Sequence, residues 1–124
     1  MAGLLAVYGT LMTGLTYDGR PRLEDALRSL GACRIPGVLH VVGDGDYPCL
    51  MEGPGTVAGE LYEVLDEAIL PELDAYEDAE YERRLVRLAQ PDVEAWTYLW
   101  VAEAPGERID DGDWRSFLAL RGDR

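Results

Sequence analysis

The stretch Leu4-Leu5-Ala6-Val7-Tyr8-Gly9-Thr10-Leu11 decides the fold of this chain, because it joins an apolar strand to a turn. Leu4 to Tyr8 lacks the polar alternation of a half-exposed strand, so we expect a first strand that is buried on both faces. We expect Gly9 to end this strand and the turn after it to offer backbone N–H groups that no neighbouring strand uses. Such groups can bind an anion or a developing negative charge.

The size and charge of the chain limit its class. With 124 residues, 48% of them hydrophobic, it can close one core, and we predict a single domain over residues 1–124. The formal net charge of −13 repels phosphate backbones and anionic lipid surfaces. We therefore expect neither nucleic acid nor a membrane as a partner.

Targeting signals are not evident in the sequence. Met1 to Leu5 is apolar but has no basic leader, and no apolar run approaches the roughly 20 residues needed to cross a bilayer. These features predict a soluble, cytoplasmic protein.

The two cysteines do not suggest a metal or redox site. Cys33 and Cys49 lie in separate segments without C-x-x-C spacing, and His40 is the one histidine of the chain. We predict two buried, reduced thiols and no metal site.

Apolar spacing and capping residues predict three short helices. The first covers Arg22 to Leu30, before Gly31 as a left-handed cap. The second runs from Glu67 to about Tyr76, and the third reaches Leu120. We expect Asp66 and Asp113 to cap the second and third helices, with Pro71 in the first turn of the second.

Alternating or β-rich segments predict about six strands, separated by turn residues. The strands are Leu4 to Tyr8, Ala32 to Val42 (interrupted at Pro36-Gly37), Tyr47 to Met51, Thr56 to Leu65, Glu80 to Ala89 and Val93 to Val101. The turns are Gly43 to Asp46, Glu52 to Gly55 and Gln90-Pro91-Asp92, and Ala104 to Gly112 is a loop. The predicted fold is α+β, with a small, mostly antiparallel, barrel-like sheet and about three short helices.

Five segments, in this order, resemble the γ-glutamylcyclotransferase-like (AIG2-like) family. They are Tyr8-Gly9-Thr10-Leu11, Tyr47-Pro48, Gly59-Glu60-Leu61-Tyr62, Leu73-Asp74-Ala75-Tyr76-Glu77 and Tyr81-Glu82-Arg83. The resemblance spans residues 5 to about 101. It implies a small barrel-like fold, an enzyme without a cofactor, and release of a γ-glutamyl group as 5-oxoproline with a free amine. Many relatives have glycine after the glutamate, where this chain has Asp78.

The same resemblance implies the roles of the site residues. Glu77 would be the catalytic acid/base, and Tyr8, Gly9, Thr10 and Leu11 would hold the substrate. We add Pro48 and Tyr81 as substrate-binding candidates. Arg83 and Tyr98 are further candidates, with Arg83 pairing to the substrate α-carboxylate. Alternatives remain open: Glu77 as a solvated carboxylate, Gly9-Thr10 as an ordinary turn, Arg83 as the ion-pair partner of a nearby carboxylate, and Tyr98 as packing.

These residue types suit an intramolecular reaction. The α-amine of a γ-glutamyl compound attacks its own side-chain amide, so no serine or cysteine nucleophile is required. A base must first take a proton from the ammonium group, and a glutamate with its ordinary pKa of about 4.3 is too weak. We expect the helix end, the neighbours Asp74 and Asp78, and water exclusion by Tyr76 and Tyr81 to raise the pKa of Glu77.

The acidic charge also bears on the substrate. It slows the approach of γ-glutamyl compounds with further carboxylates, so we expect a small-molecule substrate with a cationic leaving amine. Two other functions remain open. One is a non-catalytic module that binds a small molecule in the Tyr8 to Leu11 turn, and the other is a hydrolase that releases glutamate.

Overall fold

A computed structural model describes residues 3–9, 26–42, 47–77, 79–102 and 106–122, with Tyr47, Glu77 and residues 120–122 described by their backbone. These residues form five strands and two helices. In chain order they are β1 (Leu4–Val7), β2 (Leu27–Val42), β3 (Tyr47–Val64), α1 (Ile69–Glu77), β4 (Tyr81–Arg87), β5 (Glu94–Trp100) and α2 (Trp114–Gly122).

The five strands form one mixed sheet in the order β2-β3-β1-β5-β4. β1 pairs antiparallel with β3 and parallel with β5. β2 pairs antiparallel with β3, and β4 pairs antiparallel with β5. The α+β prediction is confirmed. The barrel, the six strands and the three helices are not: in the described residues, the edge strands β2 and β4 do not close the sheet. Instead, β2 meets the β4–β5 turn at an isolated bridge, Arg34 to Gln90.

The first strand is buried on both faces, because successive residues of a strand point to opposite faces and three in a row are buried. Leu5, Ala6 and Val7 are at most 3% exposed, which confirms the prediction from their unbroken apolar pattern. Gly59 on β3 permits the close contact beside β1, since an added Cβ would lie 2.7 Å from the carbonyl oxygen of Val7.

The predicted helix from Arg22 to Leu30 is wrong over its described end. Leu27–Leu30 belongs to β2, and Arg28 lies opposite Glu63 of β3, with which it forms an ion pair. Pairing with β3 therefore overrides the local helical spacing. Gly31 does adopt a positive φ of 103°, but it does so at a register shift of the sheet and not at a helix end.

The two strands predicted between Tyr47 and Leu65 are one strand, β3. The predicted turn Glu52 to Gly55 lies within it, where the register with β2 changes from Pro36↔Thr56 to Val38↔Met51. The extra residues of β3 form a bulge, which absorbs the turn signal without ending the strand. The predicted turn Gly43 to Asp46 lies outside the described residues.

The predicted hairpin and the second and third predicted helices are present in the structure. The hairpin around Gln90-Pro91-Asp92 consists of β4 and β5. α1 begins at Ile69, two residues later than expected, and its preceding turn is capped by a 3.0 Å hydrogen bond from the Ala68 N–H to Asp66 Oδ1. Asp113 caps α2 in the same way, accepting from the Ser116 N–H at 3.2 Å.

The core contains both cysteines and Trp114. Cys33 and Cys49 are buried free thiols, as predicted. Trp114 is fully buried and stacks on Phe117 with ring centroids 5.2 Å apart. Among the helices of the described part, none is long and apolar enough to span a membrane.

Candidate active site

Tyr8, directly after β1, bonds to the two strands that flank β1. Its hydroxyl donates to the backbone carbonyl of Tyr98 at 2.7 Å and accepts from the backbone N–H of Leu50 at 3.3 Å. The side chain is 6% exposed. Tyr8 therefore fixes the end of β1 relative to both β3 and β5.

Gly9 lies against the ring of Pro48. A Cβ atom added to Gly9 would come 2.5 Å from Pro48 Cγ, closer than real Cβ atoms approach other atoms. Because the proline ring is stiff, only glycine fits this contact without a shift. Gly9, the first residue of the turn predicted to bind the substrate, thus contacts Pro48, which was also predicted to bind the substrate. Thr10 and Leu11 lie outside the described residues.

Tyr81 joins this group from the start of β4. Its hydroxyl donates to the carbonyl of Pro48 at 2.8 Å, and its ring meets Trp100 edge-on, with centroids 5.3 Å apart. We call Tyr8, Gly9, Pro48 and Tyr81 the turn cluster. It brings together four residues predicted to bind the substrate.

A second group of contacts lies around Asp74 of α1. Its Oδ1 accepts from the Tyr98 hydroxyl at 2.6 Å and from Arg83 Nε at 2.9 Å, while Arg83 Nη2 lies 3.3 Å from Oδ2. The Arg83 guanidinium also lies 4.7 Å above the Trp96 ring. The open alternative that Arg83 pairs with a nearby carboxylate is thus observed, with Asp74 as the partner.

These contacts change the acid–base properties of the pair. Partial burial alone would raise the pKa of Asp74, but the hydrogen bonds from Arg83 and Tyr98 hold that pKa below its usual value. The hydrogen bond to Asp74 raises the pKa of Arg83 in turn. Asp74 is therefore ionised and Arg83 charged at neutral pH.

Glu77 is the last residue of α1, three residues after Asp74. This is the helix end predicted from the sequence, where the macrodipole disfavours a negative charge. The side chain of Glu77 and the whole of Asp78 lie outside the described part of the chain. The role of Glu77 therefore stays a prediction, as do substrate contacts by the turn cluster, Arg83 and Tyr98.

Cys49, the neighbour of Pro48, has an environment that disfavours the thiolate form. Burial raises the pKa of its thiol to about 12, and burial likewise raises the pKa of Cys33 to about 11. Nucleophilic attack by cysteine requires the thiolate. Within the described ranges, no group of three or more His, Cys, Asp or Glu side chains is arranged to hold a metal ion.

Sequence reasoning missed one residue of this region. It named Asp74 only as a like-charged neighbour of Glu77, whereas Asp74 accepts hydrogen bonds from two predicted site residues. The sequence places Asp74 within one helical turn of Glu77, but its contacts with Arg83 and Tyr98 join different elements and have no local sequence signal.

Comparison with known families decides the relationship. The model of the family "Gamma-glutamyl cyclotransferase, AIG2-like" matches residues 5–116. The chain belongs to this family.

Individual relatives agree with this assignment to the γ-glutamylcyclotransferase family. A Vibrio cholerae protein, provisionally named a gamma-glutamylcyclotransferase, is 35% identical over 118 residues, which cover 92% of this chain and 96% of that protein. The solution structure of ytfP from Escherichia coli matches with a TM-score of 0.67 and 33% identity, covering 98% of this chain and 99% of that one. An AIG2-like protein from Mus musculus matches with a TM-score of 0.63 and 27% identity over 84% of this chain and 80% of that one.

Proposed function

We propose that this chain is an enzyme that cleaves a γ-glutamyl amide by intramolecular attack of the α-amine, releasing 5-oxoproline and a free amine. The observation that supports this best is the convergence of family segments at the end of β1. Gly9 meets Pro48, Pro48 accepts from Tyr81, and Gly59 packs against Val7. Segments far apart in sequence thus share one location, as residues of a common site do.

In the proposed reaction, Glu77 takes a proton from the substrate ammonium group. The freed amine attacks the γ-carbonyl carbon, forming the C–N bond of the five-membered ring. As the lactam forms, the attacking nitrogen gives up a second proton and the bond to the leaving amine breaks. Both protons pass to that amine, the first of them through Glu77, so it departs as an ammonium ion. Every atom of the products comes from the substrate, so neither water nor a second substrate is consumed.

The turn after β1 would stabilise the intermediate. Negative charge develops on the attacked carbonyl oxygen, and we assign its donors to the backbone N–H groups of Gly9, Thr10 and Leu11. One well-aimed donor of this kind contributes about 3 kcal/mol to transition-state stabilisation. The contact of Gly9 with Pro48 supports this assignment because it restrains the start of the turn.

The test is a screen of γ-glutamyl compounds for 5-oxoproline release. We expect Glu77→Gln to lower turnover at least about 100-fold, the usual contribution of general acid–base catalysis, while ligand affinity stays nearly unchanged. Glu72→Gln is the matched control, since Glu72 is an exposed carboxylate in the first turn of the same helix. It should retain wild-type turnover.

Other results would point to the alternative functions. Binding of γ-glutamyl compounds without turnover by the wild-type protein would indicate a non-catalytic binding module. Release of glutamate in place of 5-oxoproline would indicate a hydrolase. Equal activity of Glu77→Gln and the wild type would overturn the role of Glu77.

We also propose that the leaving amine is cationic. The net charge of −13 attracts cationic substrates and repels those with additional carboxylates. Because salt screens this attraction, kcat/KM for cationic γ-glutamyl amines should fall as the salt concentration rises, whereas kcat/KM for γ-glutamyl peptides with extra carboxylates should rise. A cationic substrate whose kcat/KM is independent of salt would contradict steering.

A further inference from the structure

We propose that Asp74 is a positioning residue, held by Tyr98 and Arg83, which fixes the last turn of α1 and with it the placement of Glu77. This inference rests on the proposed function, because the placement of Glu77 affects turnover only if Glu77 is the catalytic acid/base. It gives Arg83 and Tyr98 a role through Asp74 and not through direct contact with the substrate.

The two donors form a matched pair on the hairpin. Arg83 of β4 and Tyr98 of β5 lie directly opposite each other in the antiparallel register. Side chains of such a pair project from the same face of the sheet, so both reach one carboxylate. Trp96, two residues before Tyr98, lies against the guanidinium from the same face.

Tyr98 donates its hydrogen bond to Asp74 from a buried position on an interior strand. β5 lies inside the sheet between β1 and β4, and Tyr98 is 3% exposed. Its backbone carbonyl also accepts the hydrogen bond from Tyr8. The Asp74 carboxylate is thus connected, through Tyr98, to Tyr8 of the turn cluster.

Asp74 adds polar contacts to a short helix that apolar side chains hold against the core. α1 has nine residues, and isolated helices of fewer than about 12–15 residues are marginal in water. Leu73 is fully buried and attaches the middle of the helix to the core. Ile69 is buried as well, and Leu70 and Tyr76 pack against the core. Asp74 adds directional hydrogen bonds to these apolar contacts, less than one turn before Glu77.

The contacts also argue against Arg83 as the main substrate anchor. Two of its nitrogen atoms bond to Asp74, so that carboxylate already compensates its charge. A residue that binds the substrate uniformly affects KM, whereas a misplaced catalytic group affects kcat. The two roles therefore predict different kinetics.

The experiment is a double-mutant cycle with Asp74→Ala and Tyr98→Phe. Each single variant should lower kcat about 10-fold to 100-fold with KM changed less than about twofold, because a small displacement of Glu77 slows the reaction. The double variant should be no slower than the slower single variant, since both changes remove one interaction. Arg83→Gln should behave like Asp74→Ala.

Arg84→Gln is the matched control for Arg83→Gln. Arg84 is the next residue on β4, and it pairs with Glu82 and Glu52 at the surface instead of with Asp74. Its replacement should leave kcat unchanged. Urea unfolding of every variant shows whether it is folded under assay conditions.

Hydrogen exchange supplies a readout that does not depend on activity. Tyr98→Phe should speed exchange at the amides of residues 74–77 while leaving the amides of β5 protected. Unchanged exchange in α1 would overturn the inference, as would strictly additive losses of kcat. An increase in KM at constant kcat would instead show direct substrate binding by Arg83 and Tyr98.

Failure of this inference is distinguishable from failure of the proposed function. If Glu77→Gln is inactive while the Asp74 and Tyr98 variants have normal kcat, the inference alone is wrong. If Glu77→Gln is fully active, the proposed function is wrong, and the exchange of residues 74–77 still decides whether Asp74 anchors the helix.

Discussion

The hydroxyl group of Tyr8 donates a 2.7 Å hydrogen bond to the backbone carbonyl of Tyr98, a residue on the neighbouring parallel strand. β1 and β5 are paired at Leu5 and Trp96, so the Tyr8 bond extends their connection beyond the end of β1. The same hydroxyl accepts from the Leu50 N–H of β3. One side chain thus defines the position where the proposed substrate-binding turn begins.

Tyr8→Phe should therefore destabilise the protein. The change keeps the buried ring but removes a hydroxyl that bonds to two backbone groups, and leaving such groups without this partner costs about 1–3 kcal/mol. Urea unfolding measures the loss. Tyr81→Phe is the comparison, since its hydroxyl bonds to Pro48 from a half-buried side chain and its removal should cost less. Equal stability of Tyr8→Phe and the wild type would contradict this role.

Gly9→Ala should destabilise the protein by about 1–3 kcal/mol, the usual cost of overpacking a site that cannot yield. The new methyl group would come 2.5 Å from Pro48 Cγ. Gly3→Ala is the control at the other end of β1, because its nearest neighbour, Trp96 Nε1, would lie at an ordinary 3.5 Å. Thermal unfolding compares the two variants. Equal melting temperatures would show that the contact with Pro48 relaxes at no cost.

Local sequence patterns correctly predicted the buried first strand and the hairpin of β4 and β5. The unbroken apolar pattern of β1 and the paired strands around Gln90-Pro91-Asp92 are confirmed. The segment Leu27–Leu30 was predicted wrongly because its helical spacing competes with pairing to β3, and that pairing is not visible in local sequence. Gly31 has the positive φ that its position suggested, but at a bulge.

In the candidate site, too, short sequence segments predicted some residues, whereas contacts that depend on packing between elements were missed. The matching short segments contain all four residues of the turn cluster, and the structure brings these four together. The bonds of Asp74 to Arg83 and Tyr98 depend on how α1 packs against the hairpin. Sequence spacing along one element does not determine such contacts, so Asp74 was named only as a charged neighbour.

The thiols of Cys33 and Cys49 should react slowly in the native protein. Both are buried, and burial raises the pKa of their thiols to about 11 and about 12. Very little thiolate is therefore present near pH 8, where an ordinary cysteine with a pKa of about 8.5 is partly ionised. A colorimetric disulfide reagent should label both thiols rapidly in urea and slowly in buffer. Rapid native labelling, assigned with Cys33→Ala and Cys49→Ala, would show that the core opens readily.

The ion pair of Asp74 should make stability depend on acid pH in a defined direction. Because the folded state holds the pKa of Asp74 below its ordinary value, the contribution is present above about pH 4 and is lost as pH falls through the folded-state pKa. The difference in free energy of unfolding between wild type and Asp74→Asn should thus be largest near neutral pH and shrink towards about pH 3. Asp92→Asn is the control, since the Asp92 side chain is 83% exposed beside Arg87 and surface pairs contribute little. A difference for Asp74→Asn that is equal at both pH values would show that its carboxylate gains nothing from Arg83 and Tyr98 on folding.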